Sequence, residues 1–303
     1  MPTATAALIT SKDPKGLHAV GLFEAAYNQA GLDDAQAQRL NERGGELKDG
    51  ISALIRQLIV TDQYKAEEVG SSYTYPRGYK GPKPLSQQID TLAGAFGLSL
   101  GGVQDFIAKK LPTLALPNGA EGWFAIPSIA ALAARHFPEV KDPKERYTRA
   151  VQLVLAKIAA SRSFYNYRDG EILPDRWRLN ARTAHALDIL AEQQPGDIWI
   201  VGGQFGKRHA GRSVRRAREV MVGPEFGGYA VAAGSMLLTH PERLVSYDDL
   251  WYDVPGDEFD PSADGAFDRA PCFVFDDGEV KFATDEVDLP YARYGSVSLF
   301  LPQ

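Results

Sequence analysis

Residues 207–218, called the basic segment below, hold the densest group of cationic side chains in the chain. Six Lys or Arg residues and one His occur there with no Asp or Glu among them: Lys207, Arg208, His209, Arg212, Arg215, Arg216 and Arg218. The segment follows a short apolar run at residues 197–201 and a pair of glycines. A strand, a glycine loop and a helix start can together bind an anion, because glycine lets the backbone approach a phosphate and the first helical amides point at it.

The glycines of this region do not match a known nucleotide fingerprint. A phosphate-binding P-loop would require Gly at Val201 and Ser or Thr at Arg208, and the dinucleotide pattern Gly-x-Gly-x-x-Gly is absent. Two interpretations of the basic segment stay open. It binds a phosphate-bearing partner, with a nucleic acid preferred over other ligands, or it forms a helix face that pairs with carboxylates of the same chain.

Aromatic residues interleave with basic ones in two further stretches. Tyr165 and Tyr167 stand between Arg162 and Arg168, and a similar mixture occurs at residues 73–83. Tyrosine rings beside cations suit single-stranded nucleic acid, because bases stack on rings while cations meet phosphates. In an extended segment, Tyr-x-Tyr places both rings on one face. The alternative is that these rings cover the core and keep their hydroxyls in water.

Residues 248–268, called the acidic segment below, carry eight carboxylates: Asp248, Asp249, Asp253, Asp257, Glu258, Asp260, Asp264 and Asp268. Within it, Asp260, Ser262 and Asp264 followed by Gly265 match the opening of a calcium loop, with Asp268 at the ninth position. Pro271 occupies the twelfth position, where the loop needs a bidentate Glu. A divalent cation is therefore one expectation, and an ordinary Asp-Gly turn is the other. No further cofactor is predicted.

Two other functions remain as alternatives to binding a nucleic acid. An enzyme would use a metal or acid–base site built from Asp253, Asp257 and Glu258 with His209, although no spacing singles out a catalytic pair. A structural or assembly module would use charge complementarity instead. Residues 135–218 hold 17 Lys and Arg against 9 Asp and Glu, whereas residues 219–303 hold 4 against 17, so these regions can neutralise each other within one molecule or between copies.

Apolar periodicity predicts helices in the first two thirds of the chain, at residues 17–30, 33–43, 51–68, 85–96, 128–136, 144–160 and 182–193. The helix at 51–68 carries Ile51, Leu54, Ile55, Leu58 and Ile59 on one stripe. That spacing is typical of a helix that faces a core.

Short apolar runs bounded by Gly and Pro predict strands at residues 197–201, 229–238, 272–275, 280–283 and 296–301. Asp276-Asp277-Gly278 is a predicted hairpin turn. We therefore expect an α+β fold in which a helical N-terminal part, residues 1–195, packs with a β-rich, mostly antiparallel C-terminal part, residues 196–303. The two parts are also compatible with a shared core.

The remaining features concern the cellular setting. Cys272 is the single cysteine, so no internal disulfide can form. We see neither a signal peptide nor an apolar run long enough to span a bilayer, and we expect a cytoplasmic protein without membrane contact. The oligomeric state is open. The leading hypothesis is that Arg212, Arg215, Arg216 and Arg218 contact phosphates while Tyr165 and Tyr167 stack on bases.

Overall fold

A computed structural model describes residues 10–303, apart from the side chains at positions 49, 52, 53, 56 and 57. The chain divides into two compact units, Met1–Val60 and Thr61–Gln303. Each unit is described separately below. Helices dominate the N-terminal part and strands the C-terminal part, so the predicted α+β class is confirmed.

The described part of the first unit consists of three helices, α1 (Pro14–Gln29), α2 (Asp34–Glu42) and α3 (Gly44–Ile59). Helix α2, predicted at residues 33–43, begins with an acidic cap. The Asp33 carboxylate accepts a hydrogen bond from the Gln36 amide at 2.7 Å, and the Gln36 side chain accepts one from the Asp33 amide at 2.9 Å. This reciprocal capping box satisfies two amides that the helix itself leaves unpaired.

The prediction for residues 51–68 was wrong in two respects. The helix ends at Ile59, and the backbone reaches a positive φ of 54° at Asp62. Its apolar stripe does not face a core either, because Leu54, Ile55, Leu58 and Ile59 are between 53% and 73% exposed. Periodicity shows that a helix has an apolar face, but it does not show what covers that face.

The second unit contains seven α-helices: α4 (Leu85–Phe96), α5 (Gly101–Lys109), α6 (Ile129–His136), α7 (Pro143–Ser161), α8 (Ala181–Gln193), α9 (Val214–Val220) and α10 (Ala230–Thr239). Side-chain caps mark several of their starts. The Asn180 side chain accepts from the Thr183 amide at 2.8 Å, and Ser128 accepts from Ala131 at 3.0 Å. The helices predicted at 85–96, 128–136, 144–160 and 182–193 are confirmed.

Helix α10 occupies a stretch that was predicted as a strand over residues 229–238, and that prediction was wrong. Apart from Leu238, every residue of α10 is buried, and the helix contacts α4, α7 and the strand formed by Gly122–Pro127. A segment buried on all sides shows no polar face, so periodicity cannot distinguish a helix from a strand. Its Ala, Met and Leu content favours the helix.

The first sheet has four strands, β1 (Gly122–Pro127), β4 (Ile198–Gln204), β5 (Glu225–Gly227) and β11 (Ser298–Phe300), in the order β1-β4-β11-β5. All its pairs are antiparallel. Because β1 precedes residue 195 and the other strands follow it, the segments on either side of the predicted boundary share a sheet. They also share one core of buried residues.

The second sheet has seven strands: β2 (Phe164–Asn166), β3 (Trp177–Leu179), β6 (Trp251–Asp253), β7 (Asp257–Phe259), β8 (Arg269–Asp276), β9 (Glu279–Glu286) and β10 (Tyr294–Ser296). Strands β8 and β9 form the predicted hairpin, in which Asp277 and Gly278 have φ values of 53° and 80°. Asp-Gly tolerates these angles at low cost. Strand β2 pairs with β9 in parallel, and β10 pairs with β6 in parallel.

Among the described residues, no helix combines the length and the apolar character that crossing a membrane requires.

Candidate functional site: the arginine–carboxylate cluster

Strand β4 leads into the basic segment through a glycine, but the space beside that glycine is occupied by the chain itself. Gly206 has a φ of 107°, and a Cβ at this position would lie 2.6 Å from the carbonyl oxygen of Gly295. The Gly211 amide donates to Tyr294 O at 2.8 Å, and its carbonyl accepts from the Val69 amide at 2.8 Å. These glycines therefore allow backbone to pack on backbone, not on a phosphate.

The amides at the start of α9 are also occupied. The Arg215 amide donates to Val287 O at 2.9 Å, and the Arg216 amide donates to the Ser213 hydroxyl at 3.1 Å. Ser213 is the N-cap of this seven-residue helix. The amides at this helix start, which were predicted to point at an anion, thus already donate to the backbone just after β9 and to the helix's own cap.

Arg215 forms a fork with the carboxylate of Glu67, which lies 148 residues earlier in the chain. Its Nε donates to both Glu67 oxygens at 2.8 Å, and its Nη2 bonds Oε1 as well. The Ser213 hydroxyl donates to the same carboxylate at 2.7 Å. The hydrogen bond from Arg215 holds the pKa of Glu67 below its usual value and raises the pKa of Arg215. Tyr64 packs on the guanidinium, with its ring centre 4.6 Å away.

Arg216 is buried among three carboxylates. It bonds Glu68 at 2.5 Å, Glu219 at 2.7 Å and Asp62 at 2.8 Å. Glu219 also accepts from the Thr61 hydroxyl and from the amides of Gln63 and Tyr64. Burial alone would raise the pKa of Glu219, but these hydrogen bonds outweigh it and lower the pKa to about 2.

His209 is buried and has a partner on each ring nitrogen. Nε2 lies 2.8 Å from Glu225 Oε1, and Nδ1 lies 2.9 Å from Arg212 Nη1. Because an arginine can only donate, Nδ1 must accept and Nε2 must carry the proton, which gives a neutral ring. Burial lowers the pKa of His209, and the charges of Arg212 and Arg208 lower it further, whereas the hydrogen bond to Glu225 opposes both effects.

The remaining cations of the basic segment have internal partners as well. Arg208 bonds Glu225 at 3.0 Å, and Arg212 lies 3.5 Å from Glu68. Arg218 donates to the backbone carbonyls of Pro255 at 2.9 Å and Asp257 at 2.7 Å. Lys207 donates to Tyr73 O at 2.8 Å.

Three of the carboxylates that pair with the basic segment were not anticipated from the sequence. The sequence suggested partners in the last third of the chain, and Glu219, Glu225 and Asp288 do contribute. Asp62, Glu67 and Glu68, however, come from the stretch that was predicted to be helical. Its only sequence signal is an adjacent Glu-Glu pair followed by Val-Gly. We call the set formed by Arg212, Arg215 and Arg216 with Asp62, Glu67, Glu68 and Glu219 the arginine–carboxylate cluster.

The two tyrosines of the predicted site lie elsewhere. Tyr165 and Tyr167 on and after β2 are 51% and 50% exposed, with ring centres 4.8 Å apart, so they share a face as predicted. Tyr165 pairs with Lys281 near the start of β9, whereas Arg215 bonds Val287 beyond its end. Six residues of extended strand separate these points, or roughly 20 Å. The structure therefore does not bring the tyrosines and the arginines together.

The predicted calcium loop uses its carboxylates to hold its own backbone. Asp260 accepts from the amides of Ser262 at 3.0 Å and Gly265 at 2.5 Å, and Asp264 accepts from Ala266 at 3.0 Å. Asp268 lies just before β8. Within residues 10–303, no group of three His, Cys, Asp or Glu side chains is arranged to hold a metal ion. The geometry is that of an Asx-type turn.

The carboxylates proposed for an acid–base enzyme point into different surroundings. Asp257 is fully buried and accepts from the Tyr147 hydroxyl, from Trp177 Nε1 at 2.8 Å and from the Ala230 amide at 2.6 Å. Burial raises its pKa to about 7. It thereby anchors the start of α10 to α7 and β3. Glu258 is bonded to Arg178 at 2.7 Å.

Asp253 differs from the other buried carboxyl groups in its hydrogen bonding. It is 6% exposed, and within the described part of the chain its side chain accepts no hydrogen bond, unlike those of Glu225, Asp257 and Asp260. It pairs across the sheet with Cys272. Burial, followed by the charge of Asp285, raises its pKa to about 8.

Two cavities among the described residues are lined by neither of the buried carboxylates Asp253 and Asp257. One of about 640 Å³ lies among the helices of the first unit, and one of about 260 Å³ lies between α7 and the stretch from β2 to Ile172. An acid–base site needs a substrate within hydrogen-bond reach of the proton it moves. Neither cavity offers this to Asp253 or Asp257.

Comparison of the chain with protein-family models, with curated proteins and with solved structures gave no match.

Proposed function

We propose that this protein is a structural or assembly module in which pairs of opposite charges stabilise the fold of the second unit. The observation that carries the proposal is the arginine–carboxylate cluster. Arg215 and Arg216, the residues predicted to meet an external phosphate, each bond at least one carboxylate of the same molecule at 2.8 Å or less. A nucleic acid would have to displace these partners. Breaking the ion pair of Arg216 with Glu219 is costly because both side chains are buried, at 7% and 8% exposure.

The cluster joins three parts of the second unit that are distant in sequence. Residues 62–68 supply three carboxylates, and α9 with the residues just before it supplies the arginines. The backbone of Val287 and the side chain of Asp288, just after β9, contact Arg215. Charge-assisted hydrogen bonds of this kind fix orientation as well as add stability. We infer that the cluster holds the start of the second unit against its second sheet.

A paired experiment tests this function against nucleic-acid binding. Fluorescence anisotropy with labelled single- and double-stranded oligonucleotides at low salt is expected to show no binding that depends on Arg215. The Arg215→Gln variant is instead expected to unfold at a lower temperature than the wild type, and the difference should shrink as salt is raised. Arg149→Gln is the matched control, since Arg149 is an exposed helical residue with two surface ion pairs.

The opposite pair of results would overturn the proposal. In that case Arg215→Gln would abolish oligonucleotide binding and leave the unfolding temperature unchanged. Such a result would mean that Arg215 binds an external anion and not Glu67.

Nucleic-acid binding keeps one specific observation in its favour, which is the exposed tyrosine pair. Tyr165 and Tyr167 offer two adjacent rings, and bases stack on such rings without sequence preference. Lys281 beside them is already bonded to Asp276 at 3.1 Å and Asp277 at 2.6 Å. Tyr165→Ala with Tyr167→Ala would abolish any oligonucleotide binding that uses this surface, and binding unaffected by both changes would exclude it.

A further inference from the structure

The helices of the first unit leave their apolar side chains in solvent. In α1 and α2, all of whose residues the structure describes, no side chain is buried. Nine large apolar side chains of this unit are 40% to 73% exposed: Leu17, Val20, Leu22, Phe23, Tyr27, Leu54, Ile55, Leu58 and Ile59. Exposed apolar surface of this extent marks an interaction site, since short helices gain most of their stability from packing an apolar face.

A groove and a stripe together make up this surface. The groove is the cavity of about 640 Å³, lined by side chains of α1, α2 and α3 that include Phe23, Tyr27, Leu40 and Leu47. Leu47 also begins the stripe on α3, which continues through Ile51, Leu54 and Leu58 at steps of four, three and four residues. Beyond the groove the stripe is exposed, at 53% for Leu54 and 73% for Leu58.

We propose that the first unit is a self-association surface, in which the α3 stripe of a second copy of this chain docks on the groove formed by α1, α2 and α3. The inference rests on the proposed assembly function and names its partner. One chain carries both the apolar groove and the apolar helix that a groove of this kind accepts. Two copies related by a two-fold axis can then each contribute both elements, as an isologous dimer requires.

The available area is sufficient for such a dimer. A large apolar residue at about half exposure presents roughly 100 Å². Six of the nine lie in the groove or on the stripe: Phe23, Tyr27, Leu54, Ile55, Leu58 and Ile59. They offer on the order of 600 Å² per copy, which matches the ~600 Å² that each partner contributes at the lower end of stable interfaces.

Charge favours a second copy over an anionic membrane as the occupant. In sequence, α1 carries one basic and one acidic residue, Lys15 and Glu24, and α3 carries Lys48 and Arg56 with Glu46 and Asp49. Two such neutral helices do not repel each other. A helix that lies on a membrane surface is instead rich in Lys and Arg on its polar face.

Sedimentation velocity of the full chain over a concentration series tests the inference. We expect a reversible dimer, and we expect Leu58→Glu and, separately, Leu54→Glu to raise its dissociation constant at least about tenfold, because each places a charge in the apolar contact. Both side chains are exposed within one copy, so the variants should fold as the wild type does. Leu289→Glu, at an exposed leucine of the second unit, is the matched control and should leave the dimer intact.

Three results would overturn the inference. They are a wild-type chain that stays monomeric throughout the series, a dimer unaffected by both α3 variants, or a monomer that instead binds vesicles of phosphatidylcholine and phosphatidylserine through Leu58. None of these results depends on the coupling energy between Arg215 and Glu67. Failure of this inference is therefore distinguishable from failure of the proposed function.

Discussion

At the scale of single residues, the buried carboxyl groups of the described part of the chain divide into those that accept hydrogen bonds and one, Asp253, that does not. Glu225 accepts from His209 at 2.8 Å, Ser298 at 2.6 Å and Arg208 at 3.0 Å, and Asp257 has three donors of its own. Asp253 lacks such donors in the described part of the chain, so the uncharged carboxyl is favoured in the folded protein. Removing its charge should therefore have the opposite effect from removing the charge of Glu219.

Asp253→Asn is expected to stabilise the protein at pH 8–9 relative to the wild type. The folded-state pKa of Asp253, about 8, lies above the unfolded value near 3.8. Its protonated form therefore stabilises the fold below about pH 4, and this contribution is lost as the pH rises through 8. This shift in the pKa of Asp253 sets an upper limit of about 6 kcal/mol. Urea unfolding from pH 4 to pH 9 measures the difference in the free energy of unfolding between the variant and the wild type.

Asp248→Asn, at an exposed position, is the control. If the free energy of unfolding of Asp253→Asn ran parallel to that of the wild type over this pH range, the raised pKa of Asp253 would be refuted.

Glu219→Gln is expected to destabilise the protein at pH 7 by about 1–3 kcal/mol, because Arg216 and two amides lose a charged acceptor. The folded-state pKa of Glu219, about 2, lies below the unfolded value of 4.5. The contribution of Glu219 is therefore present above pH 4.5 and lost as the pH falls toward 2. Thermal unfolding of both proteins between pH 2 and pH 7 measures this. A difference that does not narrow in acid would contradict the ion-pair role.

At the scale of elements, α10 is the central helix of the second unit, and its Gly234 allows α7 to pack closely against it. A Cβ on Gly234 would lie 2.6 Å from Cγ1 of Val154 on α7, whereas a Cβ on Gly94 in α4 would meet nothing within 4 Å. Alanine normally stabilises a helix interior by about 1 kcal/mol relative to glycine. The close contact between α7 and α10 should reverse this effect at Gly234.

Gly234→Ala is therefore expected to lower the free energy of unfolding by about 1–3 kcal/mol through overpacking. Gly94→Ala, its matched control, should raise that free energy by about 0.5–1 kcal/mol. Chemical denaturation of the two variants measures both effects. Stabilisation by Gly234→Ala would show that α7 and α10 do not pack as closely as described.

Helix α10 also shows which features of the fold cannot be predicted from the sequence. Elements with a local signal were predicted correctly, such as α2 with its Asp33 cap and the β8–β9 hairpin with its Asp-Gly turn. Helix α10 was missed because burial on every side removes periodicity. The arginines of α9 were identified as a cluster, yet their partners Glu67 and Glu68 lie some 150 residues away in sequence. Such a pairing depends on tertiary structure alone.

At the scale of the whole molecule, the chain combines a second unit locked by internal charge pairs with a first unit whose apolar faces lie in solvent. The net charge of −6 results from a basic middle and an acidic end. In the second unit most of the opposed charges described above meet within one molecule. We therefore propose that the basic segment stabilises the fold of the second unit and that the apolar helices serve association.

A double-mutant cycle between Arg215 and Glu67 tests the central claim most directly. The free energy of unfolding is measured for the wild type, Arg215→Gln, Glu67→Gln and the double variant. The account predicts a coupling energy of about 1–2 kcal/mol, because the two side chains form a charge-assisted fork. A coupling energy of zero, with each single variant as stable as the wild type, would mean that Arg215 is free for an external anion and would contradict the account.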